Sequence, residues 1–249
     1  MNLTPFSRIL MLAVLLLGGC AATPEAAAPL VAQAPGAVWK EDFAELRQGS
    51  DAAALLQIDA AASTLSIHVF RAGRAARLGH NHVLNAPKLT GFVMLPAGDT
   101  DLGAAGFELS LRLDELQLDT TAARSALGAG WASAISPEMV AATRANMLGE
   151  AGLQAASYPL VRIRSLRMAG ATPKLAALIE IELHGQRRQQ WIALNVNTSA
   201  DAEKEQVRAR GALVLRQSDY GLTPFSVAGG LLAVQDELTI EFDLLARRW

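Results

Sequence analysis

The chain has 249 residues and a formal net charge of −2, too little basic surplus to neutralise a phosphate backbone, so nucleic acid is not an expected partner. Hydrophobic residues make up 51% of it but aromatic ones only 5%. That aliphatic surplus suits an interior holding a flexible chain better than one stacking on rings or bases.

The first twenty residues have the zones of an export signal. Arg8 is the one charge before residue 20, an unbroken apolar run goes from Ile9 to Leu17, and Leu17-Gly18-Gly19-Cys20 ends it. Nine apolar residues fall short of the roughly 20 that cross a hydrocarbon core and match the h-region of a signal peptide. The Leu-Gly-Gly-Cys ending resembles a bacterial lipobox, in which the cysteine is acylated and becomes the new N-terminus. Cys20 is the single cysteine of the chain, which fits a thiol consumed by lipidation better than a disulfide partner. Residues 1–19 therefore read as a lipoprotein signal and 20–50 as a tether, since Ala21 to Val38 carries three prolines and no periodic apolar face. The expected location is the cell envelope, lipid-anchored and facing the periplasm. Ala21, where an Asp would favour inner-membrane retention, points to the outer membrane.

Residues 51–249 read as one folded domain. Trp39 to Gln57 has helix-compatible composition and is left unassigned. From residue 63 onward a two-residue alternation dominates. Leu65, Ile67 and Val69 alternate with Ser66 and His68, and 78–84 and 88–95 follow as strands. Phe107, Leu109, Leu111 and Leu113 alternate with Glu108, Ser110, Arg112 and Asp114 in the cleanest half-buried strand. One helix is expected over 136–149, with Ser136 as N-cap, Pro137 in the first turn, an apolar face of Met139, Val140, Thr143 and Met147, and a left-handed stop at Gly149. Strands resume at 159–168, 175–184, 190–197, 206–216 and 237–245, where Leu238, Ile240, Phe242 and Leu244 alternate with charged and polar residues. No strand alternates with a helix, so a parallel sheet is not expected. Eight or nine strands and one inserted helix predict an all-β, closed antiparallel barrel, because closure removes exposed edges. Eight strands enclose about enough space for one small ligand.

Three stretches carry a family resemblance. They are Arg144-Ala145-Asn146-Met147-Leu148 with Tyr158-Pro159 and the strand Val161–Ser165; Ile179–Gly185, a strand ending in Leu-His-Gly; and Ala212–Leu222, a strand ending in Asp219-Tyr220-Gly221. In order and spacing they resemble the YceI-like family, across about residues 54–246. The resemblance implies a lipocalin-like barrel whose apolar bore holds a long isoprenoid tail. The segment Met147-Leu148-Gly149 departs from the more polar, His-containing helix of many members.

The expected function is a non-enzymatic, membrane-anchored binding protein that sequesters or carries a long apolar lipid. Expected ligand-binding residues are Phe107, Leu109, Leu111, Leu213, Leu215, Leu238, Ile240 and Phe242 in the bore, with His80 and His82 at its mouth. No catalytic motif is present, and no cofactor is expected beyond a bound isoprenoid lipid. Two rival readings use the same residues. In one, Gly79-His80-Asn81-His82 serves a metal, haem or redox module, with His68 as third ligand if the hairpin of 63–71 and 78–84 takes an even register; an odd register separates His68 from the pair. In the other, the barrel is plugged and structural. Asp114, Glu115 and Asp119 are expected on a solvated rim, and Arg187-Arg188 at a hairpin tip.

Overall fold

The computed structural model describes residues 54–96, 102–199 and 205–248. The signal, Cys20 and the tether lie outside the described residues. In chain order the elements are β1 (Ala54–Ile58), β2 (Thr64–Ala72), β3 (His82–Asn85), β4 (Thr90–Leu95), β5 (Gly106–Arg112), β6 (Gln117–Leu118), α1 (Thr121–Ala126), α2 (Pro137–Leu148), β7 (Leu160–Ala171), β8 (Lys174–Leu183), β9 (Gln186–Thr198), β10 (Gln206–Arg216), β11 (Ser226–Val227) and β12 (Leu232–Arg247).

Eight antiparallel strands close a ring in the order β1-β4-β5-β7-β8-β9-β10-β12. The ring is sealed where Gln57 and Ile58 of β1 pair with Arg247 and Ala246 of β12. The same flank of β12 pairs with β2 from Asp243 to Ala233. From β2 a short annex of β3 and β6 continues the sheet past the ring. The expected closed antiparallel barrel is thus the observed one.

Side chains opposite one another in an antiparallel pair share a face, so the registers stack the bore in rows. Leu213, Ile240 and Ile67 form one row across β10, β12 and β2, and Leu215, Leu238 and Val69 form the next. A third row runs through Gly211, Phe242 and Leu65. A Cβ at Gly211 would sit 2.7 Å from Phe242 Cζ, so the missing side chain is what lets the Phe242 ring come this close to β10.

The β8–β9 connection is a two-residue hairpin turn at His184-Gly185, both with positive φ (51° and 69°), the geometry whose twist matches the flanking strands. The Tyr158 ring packs against it, edge-on to His184 with centroids 4.8 Å apart. A Cβ at Gly185 would stand 2.7 Å from Tyr158 Cε1. The Tyr-Pro and Leu-His-Gly segments, 26 residues apart in the chain, therefore form one contact.

Helix α2 starts as its sequence dictates, with Ser136 Oγ accepting from Met139 N–H at 3.3 Å and Pro137 at its start. Val140 and Met147 pack on the core, whereas Met139 is 46% exposed. Arg144 donates to the carbonyls of Leu116 and Asp114, fixing the helix to the turn after β5. The expected left-handed stop at Gly149 does not form. Its φ is −75°, and the chain is instead turned by Leu153 N–H bonding back to Met147 O at 2.8 Å. Glycine is still needed there, since a Cβ would lie 2.9 Å from Ala145 O.

Candidate functional site

The bore holds a cavity of about 170 Å³, in a measure where one water needs roughly 10–15 Å³, so there is room for about a dozen. Its wall draws on every strand of the ring, and each side chain on it is apolar. All eight residues expected in the bore lie on that wall. Leu109, Leu111 and Leu215 are buried, at 5–6% exposure. Phe107, Leu213, Leu238, Ile240 and Phe242 point inward yet are only half-buried. In a solid core such side chains would be covered by their neighbours on every side. Here they present free apolar surface to the cavity.

The histidines are placed differently from a metal set. The β2–β3 register pairs His68 with Val83 and Val69 with His82, the odd register, which puts His68 and His82 on opposite faces. His80 precedes β3 instead of lying two along it, because β3 begins only at His82 and residues 76–78 form a 3-10 turn. The expected pair of imidazoles on one strand face is therefore not formed. His68 is buried, edge-on to Trp131 at 5.5 Å. Burial, and then the neighbouring His82 and Arg124, push the His80 imidazole below its ordinary value. Among the described residues no three His, Cys, Asp or Glu side chains converge as a metal would require. Neither His80 nor His82 reaches the cavity wall.

His82 instead belongs to a buried ionic cluster. Its Nδ1 lies 2.6 Å from Asp119 Oδ2, and Arg124 Nη1 donates to Asp119 Oδ1 at 2.8 Å. Val83 N–H also donates to Oδ1, and Asp119 N–H returns a bond to Val83 O. Arg124 further donates to Asn81 O and to Ser133 O and Oγ. Burial pushes the Asp119 carboxyl up, but the bonds from His82, Val83 and Arg124 outweigh it and hold its pKa below the ordinary value. Asp119 was expected on a solvated rim, and its side chain is fully buried. The reason is α1, a helix of six residues whose alanine-rich sequence carries no apolar stripe to announce it. It brings Arg124 to Asp119 and to the Asn81 carbonyl just before β3. Asp114, by contrast, is half exposed as expected, beside Arg112.

Arg187 lies two residues past the hairpin tip where it was expected. It is buried on β9, where its Nε donates to Glu182 Oε2 at 2.7 Å. At the same end, His184 Nδ1 lies 3.2 Å from Tyr220 O and its Nε2 is buried with no partner among the described residues. Burial raises the Tyr220 phenol well above its ordinary pKa.

Fold and bore together define a lipocalin-like barrel, a closed antiparallel ring around an apolar cavity. Among solved structures the chain is similar to BcnA of Burkholderia cenocepacia, with a TM-score of 0.51 and 15% identity over 76% of this chain and 98% of that one. It is also similar to a polyisoprenoid binding domain from Saccharophagus degradans implicated in plant cell wall breakdown (TM-score 0.49, 14% identity, 78% and 98%). A Campylobacter jejuni YceI protein follows at TM-score 0.47 and 10% identity, covering 67% and 84%. No family model and no curated protein sequence matches the chain. BcnA shares the fold over nearly its whole length.

Proposed function

We propose that this chain is a YceI-like envelope lipoprotein that holds a long apolar lipid of polyisoprenoid type in its barrel and catalyses no reaction. One observation carries the reading: inward-facing side chains such as Phe242, Ile240 and Leu213 are left half-covered around a cavity lined only by apolar groups. A ligand tail entering that space gains about 0.8 kcal/mol for each methylene buried. No polar group of the wall competes for water.

The test is occupancy. The whole chain after Cys20, exported to the periplasm, is expected to yield a long prenyl lipid on organic extraction and about one lipid per chain in native mass spectra. Spectra showing only empty protein, under conditions that retain lipid in a known carrier, sink the proposal.

The envelope assignment rests on the Leu17–Cys20 segment. Mass spectrometry of the protein from membranes should show Cys20 carrying diacylglyceryl and acyl groups, and Cys20→Ala should remove both increments. An unmodified Cys20 in protein recovered from the soluble fraction rejects the anchor and leaves the bore reading standing.

A further inference from the structure

At the end of the barrel where β12 begins, the β11–β12 hairpin and the turn after β2 make one surface. Arg74 N–H donates to Gly230 O at 3.2 Å and Ala75 N–H to Leu231 O at 2.9 Å. Val234 N–H bonds to Phe225 O, and Leu78 N–H returns to Ala75 O. On this hydrogen-bonded platform Leu78 is 66% exposed, Phe225 47%, Val227 40% and Leu231 40%. Four of the nine large hydrophobic residues exposed among the described residues therefore gather on two adjoining loops. Exposed apolar residues scattered singly need no explanation, but a contiguous group rimmed by polar residues marks a contact surface.

The charge carried by these two loops is of one sign. Arg71, Arg74 and Arg77 are all exposed, and neither 71–82 nor 220–235 contains an acidic residue. Asp236, the next acid along β12, is already engaged by Ser218 and Arg216. Protruding leucine, valine and phenylalanine beside uncompensated guanidinium groups suit a surface that is apolar beneath and anionic on top. We infer that this tip docks on an anionic membrane surface, with Leu78, Phe225, Val227 and Leu231 entering the acyl boundary and Arg74 and Arg77 lying among the phosphates.

The geometry leaves such docking open to an anchored chain. β1 starts at the opposite end of the barrel, since Ala54 pairs with Leu95 at the end of β4, and β12 finishes there too. The 33 residues between Cys20 and Ala54 reach at most about 110 Å at roughly 3.3 Å per residue. That exceeds the length of the barrel, so an anchor at one end permits the other end to meet the bilayer.

The test uses the whole chain after Cys20, which contains no other cysteine and carries no acyl group. Binding is measured by flotation with vesicles of phosphatidylcholine alone and with about a third phosphatidylglycerol. The chain should float with the anionic vesicles and not with the neutral ones. Arg74→Gln with Arg77→Gln should weaken binding about 25-fold, at roughly fivefold per lost arginine, and Leu78→Ser with Leu231→Ser should abolish it. A fluorophore on Leu231→Cys should shift to the blue on anionic vesicles, while one on Val214→Cys, 55% exposed on the outer face of β10, should not. No flotation, equal flotation with both vesicles, or a shift at both positions overturns the proposal. So does a dimer in sedimentation that Leu231→Ser dissociates, since the patch would then belong to a second copy.

Discussion

Replacing Asp119 with Asn should cost about 3–5 kcal/mol of folding stability, the range for breaking a buried ion pair by removing one partner. The substitution keeps the shape of the side chain and removes its charge. Arg124, itself buried, would then face the interior without the carboxylate that balances it, and His82 would lose the acceptor at 2.6 Å. Urea denaturation at pH 7 measures the loss. The pH dependence identifies its source. A carboxyl whose folded pKa lies below its unfolded value stabilises the fold at all pH above the unfolded value, near 3.9. That contribution fades as pH falls through the lower, folded pKa. The gap between native protein and Asp119→Asn should therefore be constant from pH 7 to about 5 and shrink below about pH 4. A gap that stays constant down to pH 2.5 would place the cost in packing and not in charge.

Leu213→Trp should reduce the lipid-bound fraction at least tenfold while leaving the melting temperature within a few degrees of native. Leu213 lies beside Ile240 on the cavity wall and is only half-buried. An indole there has space to enter, and the space it takes is the ligand's. Leu111→Trp makes the opposite case. Leu111 is 6% exposed and opposite Val161, so the larger ring must displace its neighbours, at about 1–3 kcal/mol for overpacking. Val214→Trp, one residue along on the outer face, controls for the presence of a tryptophan on β10. Occupancy measured by native mass spectrometry decides between them. If Leu213→Trp keeps full occupancy, the tail does not pass this row of the bore.

The strands of the ring beyond β1 were legible because a half-buried strand repeats every two residues, and that period is written locally. Phe107 to Leu113 and Leu238 to Leu244 show it without reference to any partner. β12 nonetheless begins at Leu232, five residues before the alternation becomes clear, because its first residues pair with the short β11 and with the end of β2. β1 was not legible at all. Ala-Leu-Leu-Gln-Ile has the composition of a helix, and only pairing with β4 and β12 makes it the strand that closes the ring. Helix α2 announced itself through Ser136 and Pro137, whereas α1 offered a Thr120 cap and no apolar stripe.

By itself the sequence determined that this chain is an antiparallel β-domain with alternating apolar faces, and which face of β5, β10 and β12 turns inward. These follow from the period of the strand and the sign of each side chain, properties a segment has before it meets any other. Tertiary structure decided the register, the closure of the ring and the cavity inside it. A shift of one residue in the β2–β3 pairing would have set His68 opposite His82; the observed register sets it opposite Val83 and gives His82 to Asp119. Whether inward leucines fill a core or line a cavity depends on how far apart eight strands stand once the ring is sealed. That distance is fixed by strands distant in the chain, and no local pattern records it.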